Sequence, residues 1–305
     1  MDKILVIVGP TGVGKSQYSI ELAKRLNGEI ISGDAYQIYK AMSIGTAKIT
    51  KEEMQGIPHY LVDELCFDHP YSVADFQRVA REHIQTIISR GKLPIICGGT
   101  GLYIKAVLYD YVFEKEEIDE VYKDQLKNYS NEELYEQLKE IDSKSLETIH
   151  VNNRQRVERA LLIAHSGKLK SDIVDEQQHK LLYNATIIGL TLPRDQLYEK
   201  INQRVNVMME KGLLKEIEQL IKIANDDKIE DIWNLQAMKG IGYKEWKSYF
   251  EKEATKEETI ALIQKNSRNF AKRQYTWFNN QLDVNWINVT TKEQTLKEAL
   301  EIVKN

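Results

Sequence analysis

The chain has 305 residues, 42% of them apolar and 29% charged, with a net charge of −4. That balance is expected of a soluble globular protein with room for one large domain or two unequal ones, and it excludes a disordered chain. No apolar run approaches the ~18 residues of a membrane span, and two cysteines, Cys66 and Cys97, exclude a disulfide framework or a zinc ribbon.

In chain order, the first strand is expected at ILVIV (4–8). The opening MDKILVIVGP is too short an apolar run for a signal peptide, so a cytoplasmic enzyme is the expectation. GPTGVGKS (9–16) follows at once and fits G-x-x-x-x-G-K-[ST]. In such a loop the backbone N–H groups of Gly9, Pro10 to Val13 (Pro10 itself has none) and Gly14 converge on phosphate oxygens, and the helix behind adds its dipole. Lys15 supplies a mobile positive charge, and the Ser16 hydroxyl suits a Mg²⁺ ligand. That helix is predicted from Ser16 to about Asn27, ended by Gly28. Further strands are expected at EIIS (29–32), LPIIC (93–97), ATIIGLTL (185–192) and NWINV (285–289). Continuous apolar strands separated by helices predict a parallel sheet covered on both faces. EIIS runs on to Asp34, a carboxylate leaving a strand's C-terminal end beside the phosphate loop, where open α/β sheets place their chemistry. Residues 113–184 are Glu/Lys/Leu-rich and helical in pattern, which divides the chain into a first core part (1–112), a helical insertion (113–184) and a second core part (185–305).

Charge is segregated along this order. Residues 114–147 hold 12 Asp/Glu against 5 Lys, whereas 259–282 hold 4 Lys/Arg and no acid. On a helix beginning near Lys256, Lys265, Arg268, Lys272 and Tyr275 fall on one face at ~100° per residue, with Ile263, Phe270 and Trp277 opposite and Arg273 between. The apolar face is expected to be core, and the basic face an RNA contact rather than a merely solvated one. In NNRQRVERAL (152–161), Asn152 is placed to cap a helix carrying Arg154, Arg156 and Arg159, which would grip RNA, reach substrate phosphates or pair with the neighbouring acids. His59 has no second histidine at metal spacing and reads as a packed residue; both cysteines read as buried thiols.

DAYQ (34–37) with IGTAK (44–48), PHYLVDE (58–64), YSVADFQ (71–77), GGTGLY (98–103), NNRQRVERAL, INQRVNVMMEKGLLKEI (201–217), KGIGYKEW (239–246) and AKRQYTWF (271–278), in this order, resemble the tRNA dimethylallyltransferase family. The chain departs from it at Ala35, where a hydroxyl residue is frequent, and at Ile49, Lys239 and Asn279. The resemblance implies a P-loop NTPase-like parallel-sheet core with a helical insertion domain. It also implies transfer of a dimethylallyl group from dimethylallyl diphosphate to N6 of adenosine 37 in the anticodon stem-loop of tRNAs reading U-initial codons. Mg²⁺ is the implied cofactor, and a monomer is expected. By the same resemblance Thr100 lies near the bridging oxygen of the diphosphate and Arg204 adds a guanidinium to it. Asp34-Ala35-Tyr36-Gln37, Gln155-Arg156-Val157-Glu158-Arg159, Lys239, Gly242-Tyr243-Lys244, Arg268, Lys272 and Arg273 would meet the tRNA.

The chemistry fits those residue types. Breaking an allylic C–O bond loads negative charge on the departing diphosphate, which preorganised donors stabilise best. The attacking exocyclic amine is a poor base and needs its proton removed, a task for Asp34. An extruded adenine can be read by a bidentate amide such as that of Gln37. Two rivals share the cradle: an adenylate isopentenyltransferase acting on free AMP, ADP or ATP, and a P-loop small-molecule kinase.

Overall fold

A strand apolar on both faces has to be covered on both. The computed structural model, which describes residues 1–111, 113, 119–176 and 180–304, buries β1 (Lys3–Val8) from Ile4 onward. Around it lie β2 (Gly28–Gly33), β3 (His59–Tyr60), β4 (Leu93–Gly98), β5 (Asn184–Thr191) and β6 (Asn285–Asn288), in the spatial order β3-β2-β4-β1-β5-β6 with every pair parallel. The five expected strands are all present. β3 is a two-residue addition at the sheet edge, pairing His59 and Tyr60 with Ile30 and Ile31.

Parallel pairing in this register brings the C-terminal ends of β1, β2 and β4 together. Ile7 sits opposite Cys97, and Gly33 opposite Gly98. A Cβ on Gly98 would lie 2.2 Å from the Gly33 carbonyl oxygen, so only glycine lets the residues after these two strands emerge side by side. The helices of the core are α1 (Lys15–Leu26), α2 (Lys51–Met54), α3 (Val73–Ser89) and α4 (Gly101–Leu108) in its first part. α1 ends one residue earlier than expected. Asn27, in the left-handed region at φ 51°, caps it, while Gly28 opens β2 against Ile95.

The chain divides into two compact units, Met1–Leu108 with Leu182–Asn305, and Tyr109–Leu181. These boundaries fall a few residues before the expected 113 and 184, because Leu182 and Tyr183 belong with the strand β5 they lead into. Residues 114–118, part of the acidic run, lie outside the described residues. The second unit holds α5 (Glu120–Leu126), α6 (Asn131–Ile141), α7 (Arg154–His165) and α8 (Lys170–Glu176), with a core of Leu126, Leu134, Leu138, Ile149, Val157, Ala160 and Leu161. Its acids serve the helix ends: Asp119 caps α5, Ser130 and Glu133 form a capping box on α6, and Asp142 receives Ser145 and the Ser171 N–H. α7 begins at Arg154 behind Asn153, not Asn152, and Asn153 makes no side-chain cap.

The second part of the core adds α9 (Arg194–Glu210), α10 (Leu213–Asp226), α11 (Lys247–Phe250), α12 (Lys256–Gln281) and α13 (Lys292–Lys304). α12 starts where the sequence places it, because Thr255 and Glu258 close a capping box. Cys66 is exposed rather than buried: Phe67 takes the inward position beside it. Among the described residues no helix is long and apolar enough to cross a membrane.

A candidate active site at the strand ends

Every lining residue of a cleft of about 760 Å³ over the ends of β1, β2 and β4 comes from the first unit. Its floor is the loop after β1. Gly9, Gly12 and Gly14 all have positive φ, and a Cβ on Gly9 would lie 2.4 Å from the Leu190 carbonyl oxygen, so the loop leaves β1 pressed against β5. Val13 is buried and anchors the loop from below. Lys15 donates to the carbonyls of Gly9 and Pro10 at 2.9 and 3.0 Å, and Ser16 is exposed at the mouth of α1. Arg204, on α9, reaches the Thr11 hydroxyl at 3.4 Å.

Burial lowers the Lys15 ammonium to about 8; Arg204 pushes it the same way, while Cys97 and Asp34 oppose. Burial also lowers Arg204, against the attraction of Asp34. Two desolvated cations with little compensating negative charge make a site that a polyanion would complete. Cys97, half-buried on the cleft wall, keeps its thiol up through burial.

Asp34 stands beside this loop, off the end of β2. Its Oδ1 accepts from the N–H groups of Tyr36 (2.8 Å) and Gln37 (3.3 Å), an Asx turn that fixes the carboxylate; among the described residues Oδ2 has no hydrogen-bond partner. Thr100 is tied in from β4. Its N–H donates to Gly33 O, and its Oγ1 accepts from Ala35 N–H at 3.2 Å, which leaves its own hydroxyl proton to give. Gln37 is less free than expected: Oε1 accepts from Ser32 Oγ at 3.1 Å, and Nε2 donates to Thr46 O at 3.5 Å. Tyr36 lies flat against Gly240, where a Cβ would sit 3.2 Å from its ring.

The opposite rim is built on a residue the sequence reading passed over. Glu216, 8% exposed on α10, accepts from the backbone N–H groups of Ser43, Ile44 and Gly45 and from the Tyr243 hydroxyl. Tyr243 is therefore 1% exposed: its ring fills the space where Gly45 has no side chain, at the wall of the cleft. Gly242, at φ 96°, makes the turn before it, and Lys239 donates to Trp233 O at 2.7 Å. Lys244 is exposed on the rim.

On α12, Lys265, Lys272, Arg273 and Tyr275 are exposed, and Arg268 is half-buried with one guanidinium nitrogen on Asn202. The buried residues are Thr259, Ile263, Ala271, Gln274 and Phe278. Of the expected apolar face, only Ile263 is fully core. Phe270 lines the cleft with Arg273 over its ring at 5.8 Å, and Trp277 packs on Gly101. Gln274 was invisible as a site residue.

In the second unit Gln155 and Arg156 are exposed. Val157 is 1% exposed within the core, so its side chain is not offered to a ligand, a correction that follows from the helical period. Glu158 pairs with Arg154, whose guanidinium also holds Leu126 O and Tyr129 O; Arg159 is exposed and engaged. His59 is packed, with Nδ1 on Ile57 O at 2.8 Å. Among the described residues no three His, Cys, Asp or Glu gather as a metal cage.

The comparisons with known proteins agree with this geometry. A family model described as IPP transferase matches residues 37–281. A curated tRNA dimethylallyltransferase of Bacillus anthracis is 50% identical over 299 residues, 96% of this chain and 93% of that protein. The crystal structure of a tRNA Δ2-isopentenylpyrophosphate transferase from Staphylococcus epidermidis is 40% identical, with a TM-score of 0.73, covering 100% of this chain and 99% of that one. A eukaryotic dimethylallyltransferase acting on tRNA is 30% identical with a TM-score of 0.85, covering 99% of this chain and 77% of its own. The chain belongs to the IPP transferase family.

Proposed function

We propose that this chain transfers a dimethylallyl group from dimethylallyl diphosphate to N6 of adenosine 37 in tRNAs reading U-initial codons, releasing diphosphate. The observation that carries this reading is the pairing, in one cleft, of a phosphate loop flanked by half-buried Lys15 and Arg204 with the fixed carboxylate of Asp34. The loop and its two cations hold the diphosphate. Thr100 donates its hydroxyl proton to the oxygen that departs with it. N6 of the adenine forms a bond to C1 of the prenyl group as the C1–O bond breaks, and the N6 proton passes to Asp34.

Ser16 would hold Mg²⁺. An exposed hydroxyl at the helix mouth suits an ion that takes its other ligands from diphosphate and water. That ion would neutralise charge on the leaving group. Gln37 would exchange its long bond to Thr46 for the adenine edge. Lys244, Lys265, Lys272 and Arg273 in the first unit, and Gln155, Arg156 and Arg159 in the second, are the exposed candidates for the RNA. The enzyme is proposed to act as a monomer. Incubation with radiolabelled dimethylallyl diphosphate and unmodified tRNA, against AMP and ATP as acceptors, should label tRNA alone; label on the free nucleotides instead would refute the reading.

A further inference from the structure

Gln274 is 6% exposed on α12, the helix whose outer side carries Lys272 and Arg273. A primary amide so buried must place both its ends. Its Oε1 accepts from the Thr11 N–H at 2.8 Å, and its Nε2 donates to the Gly99 carbonyl at 2.9 Å. The assignment of oxygen and nitrogen is forced, because an N–H can only donate and a carbonyl can only accept. The first partner lies in the phosphate loop. The second immediately precedes Thr100, and a Cβ on Gly99 would come within 3.7 Å of Lys15 Nζ and 2.2 Å of Gln274 Nε2. One side chain thus spans the two walls of the leaving-group pocket, and there is no slack in the contact.

We infer that Gln274 is a positioning residue for the transfer step: its amide sets the spacing between the phosphate loop and the Gly99–Thr100 turn, so that Lys15 and Thr100 meet the departing diphosphate together. It also takes up the Thr11 N–H, which leaves the anion to the remaining loop donors, Lys15 and Arg204. The inference rests on the transferase reading above.

Two substitutions test it in the full chain with labelled dimethylallyl diphosphate and unmodified tRNA. In Gln274→Glu, a protonated carboxyl reproduces the amide, with an O–H for Gly99 and a C=O for Thr11; the ionised form loses the donor and faces the Gly99 carbonyl with a negative charge. Gln274→Met offers neither bond at similar volume. At mildly alkaline pH both variants should lose kcat on the order of 10²-fold, with KM for tRNA unchanged. As pH falls into the range where a buried glutamate protonates, Gln274→Glu should recover relative to wild type while Gln274→Met does not. A merely structural glutamine would lower the folded fraction without that pH-dependent rescue. Wild-type kcat in Gln274→Met, or an equal loss in Gln274→Glu at every pH, overturns the inference and leaves the transferase reading standing; a wild-type chain that labels no tRNA removes the reading itself. If neither variant folds, hydrogen exchange in the wild-type protein decides. A protected Thr11 amide supports the tie, and one exchanging like an open loop overturns it.

Discussion

Asp34 is held at one carboxylate oxygen by its own turn, and among the described residues the other has no hydrogen-bond partner. Removing it should cost the proton transfer and little else: Asp34→Ala should lower single-turnover rates by roughly 10²-fold or more, with the affinity for dimethylallyl diphosphate, measured by equilibrium binding, close to wild type. Lys15 predicts a pH dependence of a definite sign. Its ammonium, lowered by burial to about 8, is charged below that pH and neutral above it. Donor affinity of the free enzyme should therefore fall as pH rises through about 8. Bound diphosphate restores the charge, so the corresponding limb in kcat should lie at higher pH than that in kcat/KM. Lys15→Met should bind weakly at every pH, with no such limb. These residues were legible because their partners are local: the loop motif and Asp34 read directly off consecutive letters. Gln274 and Glu216 were not. Their partners lie 263 and 173 residues away in the chain, and a glutamine or glutamate among helix formers looks like surface until the sheet brings those loops together.

The elements show the same division. Strands and the start of α12 could be read, since apolar runs and helical periodicity are local signals, whereas β3 could not: two residues at a sheet edge carry no period. The basic face of α12 survives in the structure while its apolar face does not, because Phe270 turns to the cleft and the polar Gln274 takes a core position. If about three cations of this face meet phosphates, the log–log salt slope of tRNA binding should be about −2, from ~0.7 per single-strand contact, and Lys265→Ala with Lys272→Ala should flatten it. A flat slope in the unmutated protein removes the face from the interface. The loop over 43–46 is equally specific. Gly45→Ala sets a Cβ 2.5 Å from the Tyr243 ring, which Glu216 holds in place, so urea denaturation should show a loss of about 1–3 kcal/mol.

At the scale of the molecule, a net charge of −4 is no guide to an RNA partner, because acid and base are sorted into different stretches. The composition changes near residue 113, whereas the compact units divide after Leu108 and after Leu181, because Tyr109 and Asp110 pair with Leu181 and Lys180 of the second unit while Leu182 and Tyr183 lead into β5. What the whole fold supplies to function is a cleft over three parallel strand ends, walled by flanking loops and helices, with two desolvated cations at its base. Such a site is unfavourable until an anion enters it, so ligand binding should stabilise the folded chain as a whole. At a hundredfold excess over Kd the gain is about 2.7 kcal/mol, readable as a rise in Tm. Dimethylallyl diphosphate should produce that rise in wild type and lose most of it in Lys15→Met, while ATP, lacking the allylic group that the apolar wall of Ile201, Val205 and Met208 would cover, should produce less at equal concentration. The comparison separates the two uses of a phosphate loop. A larger rise with ATP than with the prenyl diphosphate would mean that the cradle is built for a nucleotide, and Asp34 would then need another role.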